Sequence, residues 1–365
     1  MPNRALQSSL GASPPIGRPI RLLIVDDSAV ARAVFTRMVG ARPEFEIAAT
    51  VGNADAALAF LAGAEVDIIL LDIEMPGQDG LTALPALLEA SRGARVLIVS
   101  SSAEEGAVAT LRALTLGAAD TLAKPGSSAF GGRFAEILAE RLIRIGHAPA
   151  SAPGKPAPPA PLPRFATRAL TSGRVACVAI GASTGGLHAL SDLLRSLPAS
   201  FAAPILITQH LPPSFMSFFA AQIAEMSGRP TSVARNGMVL ARGRILVAPG
   251  EGHMSVELSG GAPRVRITDQ RVDSGCMPSV DPMFASAAEA FGAQTIGIIL
   301  SGMGRDGLRG AERLAAVGAD ILVQSRDSSV VWGMPGAVAL AGLASAVLPP
   351  FQIADLIARR DRAVA

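Results

Sequence analysis

The hexapeptide Gly181-Ala182-Ser183-Thr184-Gly185-Gly186 follows the apolar run VACVAI (175–180) and precedes a helical pattern that begins at Leu187. Gly-x-Ser-x-Gly between a strand and a helix suits a nucleophile elbow, whose glycines allow a turn sharp enough to lift the serine hydroxyl above a sheet edge. The first N–H groups of the helix then point at any oxyanion forming beside that hydroxyl. The same hexapeptide also suits a dinucleotide-binding glycine loop, which would make the domain an oxidoreductase. That chemistry wants an acid at the end of the next strand, about 20 residues on, to hold the ribose hydroxyls. Here the next strand-like run, PILITQ (204–209), ends in His210.

A histidine at the same sheet edge as a serine is what a nucleophile needs from a general base. Leu211-Pro212-Pro213 follows it and cannot continue strand pairing. The other histidines carry no comparable signal. His147 borders a proline-rich segment, His188 lies within the helix after the elbow, and His253 sits in APGEGHM. A third strand-like run, TIGIIL, leads into Ser301-Gly302-Met303-Gly304-Arg305-Asp306-Gly307. Asp306 either caps the helix from Leu308 or orients the His210 ring. The chain order Ser…His…Asp differs from the Ser…Asp…His of α/β-hydrolases, so the elbow does not place the chain in that superfamily.

The first half carries a different set. Asp26 and Asp27 follow the strand-like run 21–25, and Asp72 follows the run 66–71. Ser100 follows the run 96–99, and Lys124-Pro125 follows a weaker run at 121–123. On one edge of a parallel sheet these would supply oxygen ligands for Mg²⁺, a hydroxyl and a cation. A carboxylate there can accept a phosphoryl group while the metal and the lysine neutralise the developing charge. Taken singly, such acids are as well read as helix caps, since Asp27 and Ser28 precede a helical pattern. Their joint order across the first half argues for the phosphoryl pocket.

The elements that must position these groups alternate short β-branched runs with helical patterns in both halves, which predicts parallel sheets covered by helices on both faces. A weak run at 47–51 adds a strand to the first half, and 321–324 adds one to the second. The runs 238–240 and 244–247 flank Arg242-Gly243 and predict a β-hairpin inserted into the α/β pattern. Between the halves, twelve of the seventeen residues from 148 to 164 are Ala or Pro, which cannot pack as helix or strand and predicts a semi-rigid spacer. The expected organisation is a flexible extension over 1–19, one domain over 20–145, a linker over 146–173 and a second domain over 174–365.

Composition narrows the classes. Of 365 residues, 50% are hydrophobic and 17% charged, enough apolar material for two cores and against a largely disordered chain. The formal charge of +2 supplies no strong field for nucleic acid or an anionic membrane, and no basic recognition helix is visible. Cys177 and Cys276 are too few for a disulfide scaffold and show no metal-ligand spacing, which predicts a reduced cytoplasmic setting. The N-terminal stretch mixes Ser, Gly and Pro and lacks a signal-peptide core. The uncharged stretch 328–354 is interrupted by Gly333, Pro335, Gly336, Pro349 and Pro350, and reads as turns and short buried elements.

The order Asp26-Asp27, Asp72, Ser100, Lys124-Pro125, with the run LDIEMPGQDG (71–80), resembles a response-regulator receiver domain. The resemblance implies a flavodoxin-like (βα)5 fold and phosphorylation of Asp72 by a histidine kinase. It also implies Mg²⁺ held by Asp26, Asp27, Asp72 and the carbonyl of Glu74, with Ser100 and Lys124 as the switch hydroxyl and lysine. Residues 174–357 resemble the catalytic domain of the CheB family of chemotaxis protein-glutamate methylesterases through IGASTGG, TQHLPPSF, ILVAPGEGHM, PSVDPMF, ILSGMGRDG and VVWGMPGAV. This implies a doubly wound, mostly parallel α/β esterase domain without a cofactor, with Ser183 as nucleophile, His210 as base and Asp306 as its orienter. The backbones of Thr184 and Met303 become the oxyanion donors. It further implies hydrolysis of glutamyl methyl esters on membrane chemoreceptors, deamidation of receptor glutamines, and an unphosphorylated receiver covering the Ser183 edge. Met277, Arg326 and Gly336 depart from the family pattern and bear on substrate contacts rather than on the chemistry. The alternatives are a receiver-controlled adaptor without catalysis and the nicotinamide enzyme.

Overall fold

The computed structural model describes residues 18–100, 104–124, 132–146 and 167–362. Residues 1–17 of the extension expected over 1–19, residues 147–166 of the linker expected over 146–173, Pro125 and the side chain of Ser100 lie outside the described residues.

Two parallel sheets organise the chain. In the first, β1 (Ile20–Val25), β2 (Phe45–Val51), β3 (Ile68–Leu71), β4 (Arg95–Ser100) and β5 (Asp120–Ala123) run parallel in the order β2-β1-β3-β4-β5. Side chains alternate across a strand, so IRLLIV and IILL feed both faces at once. Leu22, Ile24, Ile68 and Leu70 pack with Phe35, Val39, Leu138 and Leu142 of the helices Ala29–Gly40 and Gly132–Gly146. Leu23, Val25, Ile69 and Leu71 pack on the other face with Ala57, Leu61, Leu84 and Leu111. The strand order reverses between β1 and β3, which opens a crevice at their carboxyl ends.

In the second sheet, β6 (Cys177–Ala182), β7 (Ile205–Gln209), β8 (Thr231–Val233), β9 (Ile245–Val247), β12 (Thr295–Ile299), β13 (Asp320–Gln324) and β14 (Ala346–Leu348) are all parallel. Two further strands, β10 (His253–Ser259) and β11 (Ala262–Thr268), form a separate antiparallel hairpin. The sheet order is β14-β13-β12-β6-β7-β9-β8. On one side of β6 the chain adds β7, then the edge strand β8, then β9 between them, and it returns to build outward from β12 on the other side, so the reversal falls between β6 and β12. Every residue of β6, β7, β12 and β13 is buried, as strands covered on both faces must be.

The inserted hairpin lies elsewhere than the sequence suggested. Arg242-Gly243 does turn the chain, with Gly243 at φ +71°, but Ile245–Val247 pairs parallel with β7 and β8. Its three residues are apolar and fully covered, which draws them into the sheet rather than into a half-exposed hairpin arm. Of the run 238–240 only Val239 bridges antiparallel, to Arg264. The hairpin is β10–β11, joined by Gly260 and Gly261 at φ +60° and +77°, the positive values that a two-residue turn demands. The short edge strands β8 and β14 leave no signal in the sequence, because three residues carry too little periodicity. Among the described residues no helix is long and apolar enough to cross a membrane.

Candidate active site

At the carboxyl end of β6 the chain turns through Ser183 into the helix Gly186–Ser196. The turn is pinned through its main chain. Ser183 N–H donates to the Ser301 carbonyl at 3.0 Å, and the Ser183 carbonyl accepts from Gly186 N–H at 2.7 Å and Gln209 Nε2 at 3.0 Å. Gly185 sits at φ +73°, and a Cβ there would stand 2.5 Å from Val330 Cβ. Gly185→Ala is therefore expected to destabilise the fold by roughly 1–3 kcal/mol from the backbone alone, with overpacking added, read as a fall in the denaturant midpoint.

His210 leaves β7 beside this turn, its N–H donating to the Ala182 carbonyl at 3.2 Å. Its ring Nε2 is 2.8 Å from Asp306 Oδ2. Asp306, in the loop after β12, is 2% exposed, and it does not cap the following helix. Gly307 takes the N-cap position at φ +88°, which frees the carboxylate. Its Oδ1 accepts from Ser279 Oγ at 2.6 Å, and its Oδ2 also accepts from Val280 N–H at 2.8 Å. Burial alone would raise the Asp306 carboxyl, but the bonds from His210, Ser279 and Val280 outweigh it and hold it at about 2. Burial alone would lower the imidazole, yet Asp306 and the Cys276 sulfur raise it to about 9.

Ser183, Thr184, His210 and Met303 border one cavity of about 320 Å³. Among the described residues neither the Thr184 nor the Met303 N–H has a hydrogen-bond partner, and no hydrogen bond joins the Ser183 hydroxyl to His210. The first sheet's domain supplies part of the same wall through Leu114, Ala118, Asp120, Arg141 and Arg144. Asp120 Oδ2 accepts from Thr184 Oγ1 at 3.0 Å and pairs with Arg141 at 2.9 Å, while Gly185 N–H donates to the Ala119 carbonyl at 2.9 Å.

In the first crevice, carboxylate oxygens of Asp26, Asp27 and Asp72 lie within 4.8 Å of one another. Lys124 Nζ reaches Asp72 Oδ2 at 2.6 Å and Asp26 Oδ2 at 2.9 Å. The second contact lacks hydrogen-bond geometry, so Asp26 Oδ2 remains a buried oxygen without a directed donor. An all-oxygen donor set with such an orphaned atom fits a hard divalent cation such as Mg²⁺. Burial pushes the Asp72 carboxyl up, against the pull of Lys124. Ser28, not Asp27, caps the next helix, accepting from Ala31 N–H at 3.2 Å.

Family models match at residues 22–129 for the response regulator receiver domain and at 178–357 for the CheB methylesterase. A protein from Caulobacter vibrioides named "Protein-glutamate methylesterase/protein-glutamine glutaminase 2" is 45% identical over 95% of this chain and 100% of its own length. The chain belongs to the CheB methylesterase family. A Paramagnetospirillum magneticum relative named "Protein-glutamate methylesterase/protein-glutamine glutaminase 1" is 40% identical over 94% of this chain and 96% of its own. Among solved structures, the Thermotoga maritima CheB methylesterase catalytic domain is 32% identical, covering 52% of this chain and 99% of its own with a TM-score of 0.49. The response regulator domain of the T. maritima CheB is 36% identical, covering 34% and 95% with a TM-score of 0.31.

Within this CheB-family chain the structure adds residues that the sequence did not single out. Gln209, whose Nε2 holds the Ser183 carbonyl, and Ser279, whose hydroxyl holds Asp306, were visible only as parts of TQHLPPSF and PSVDPMF. Ser279 is placed in turn by its N–H donating to His253 Nδ1 at 2.9 Å, which gives that buried histidine a structural task. His188 is exposed, 3.8 Å from Asp192. Cys276 lies against His210, though nothing in its spacing foretold it.

Proposed function

We propose that this chain hydrolyses glutamate methyl esters on methyl-accepting chemotaxis receptors, releases methanol, and deamidates receptor glutamines under phosphorylation control. The observation that carries the reading is the 2.8 Å His210–Asp306 bond at the cavity that holds Ser183. The names of its relatives support the substrate. Residues 20–145 serve as the regulatory domain and 174–365 as the catalytic one, in the cytoplasm.

Ser183 Oγ attacks the ester carbonyl as His210 takes its proton. Asp306 stabilises the imidazolium, and the free Thr184 and Met303 N–H groups receive the tetrahedral oxyanion. One such donor is worth about 10²–10³ in rate. His210 then protonates the departing methoxide, and water repeats the steps to free the acyl group. With a receptor glutamine the leaving group is ammonia. No step requires an organic cofactor.

Regulation uses the first domain. A chemotaxis histidine kinase donates a phosphoryl group to Asp72, with Lys124 neutralising charge and Ser100 as the switch hydroxyl. Asp26, Asp27, Asp72 and the Glu74 carbonyl would hold Mg²⁺, which would supply further charge neutralisation. The contacts of Ala119 and Asp120 with Gly185 and Thr184 close the cavity on one side. Switching from 1:99 to 99:1 open takes about 5.5 kcal/mol of differential free energy, so phosphorylation must repack this interface rather than merely repel it. Asp120→Ala removes a hydrogen bond to a charged acceptor, worth roughly 1.5–3 kcal/mol. The expected outcome is a methanol-release rate about 10- to 100-fold higher without phosphodonor and unchanged with it.

The deciding assay follows methanol from methylated receptor membranes, with and without acetyl phosphate. Release that rises with the phosphodonor supports the proposal. Receptor binding without release would favour the adaptor.

A further inference from the structure

Outside the first crevice, one ring nitrogen of His210, Cys276 Sγ and one carboxylate oxygen of Asp306 lie within 4.8 Å of one another. We propose that these three side chains form an inhibitory site for Zn²⁺. A thiolate, an imidazole and a carboxylate are the ligand types that zinc takes, with three protein ligands and a fourth position left to water or substrate. The set is wrong for Mg²⁺, which wants oxygen alone, and right for a borderline-soft ion.

The surroundings are built for coordination. Ser279 Oγ and Val280 N–H already hold the Asp306 carboxylate, and such outer hydrogen bonds fix ligand orientation. Cys276 is partly exposed and borders both the cavity of Ser183 and His210 and a larger one of about 960 Å³ that Asp306 lines. An ion can therefore reach the cluster from solvent. As it seats, the thiol and imidazole release protons to water. The metal then ties up the imidazole and the carboxylate on which transfer of the Ser183 proton depends, so binding and hydrolysis exclude each other. That inhibitory consequence rests on the proposed role of His210; the binding itself does not. Spacing could not reveal the site, because its ligands come from three separate segments.

The test uses the full-length protein with excess Mg²⁺ to saturate the receiver acids, and Co²⁺ as the spectroscopic stand-in for Zn²⁺. Wild type should show a thiolate-to-cobalt charge-transfer band that saturates at one equivalent and is displaced by Zn²⁺. The band reports Cys276, since Cys177 is fully buried and burial pushes its thiol up to about 12. Cys276→Ser should lose the band. The Zn²⁺ concentration that halves methanol release should rise at least about tenfold, each protein being normalised to its own rate in chelator. No band in wild type, or a band that survives in Cys276→Ser, overturns the site. Equal half-inhibiting concentrations overturn the inhibition. A wild-type band without any methanol release in chelator supports the site and sinks the esterase reading instead.

Discussion

Asp306→Asn should lower kcat for methanol release by about 10⁴, the loss seen when the orienting acid of a serine–histidine relay becomes an amide. The amide keeps the shape but can present its NH₂ to His210 Nε2, which favours the wrong tautomer and removes the negative charge beside the imidazolium. The pH profile carries a second, independent signature. The base must be neutral to accept the Ser183 proton, and the wild-type ring holds its proton up to about 9. The wild-type rate should therefore rise about tenfold per pH unit through neutrality and level off near pH 9. In the variant, burial acts on the ring without its main opposing partner, so the midpoint should fall well below 9. A purely structural role for Asp306 would lower the rate without moving that midpoint.

The fold that makes this prediction possible was legible where strands are long and apolar. Parallel strands deliver the residues after them to one edge, so Ser183 after β6, His210 after β7 and Asp306 after β12 could be placed together from their positions alone. The reversal between β6 and β12 brings the serine and the acid to adjacent strands. Other features had no such register. Whether Asp306 capped a helix or met His210 depended on Gly307 adopting φ +88°, a backbone choice that glycine permits but does not announce. Ser279, Gln209 and Cys276 act through single side-chain contacts, which have no periodicity. The hairpin was misplaced because an X-Gly pair marks a turn without saying which flanking run the sheet will claim. The docking of the receiver onto Gly185 and Thr184 depends on two surfaces meeting, and neither half encodes that alone.

Ser183→Ala should abolish hydrolysis while leaving the fold intact. Every bond that Ser183 itself makes to pin the elbow uses its main chain, and among the described residues its hydroxyl has no hydrogen-bond partner. The melting midpoint should therefore move by no more than about 0.5 kcal/mol of stability. The rate should fall by about 10⁶, leaving the roughly 10³–10⁴ over water that oxyanion donors and binding supply without a nucleophile. Receptor binding should persist, because the substitution removes one hydroxyl and leaves the cavity wall of Thr184, His210 and Met303 in place. Combining Ser183→Ala with Asp306→Asn discriminates further. If the two side chains act through His210 as a unit, the double variant should be no slower than Ser183→Ala alone, since an imidazole with no hydroxyl to deprotonate gains nothing from its orienter. Losses that multiplied to about 10¹⁰ would mean that Asp306 contributes along a route independent of Ser183.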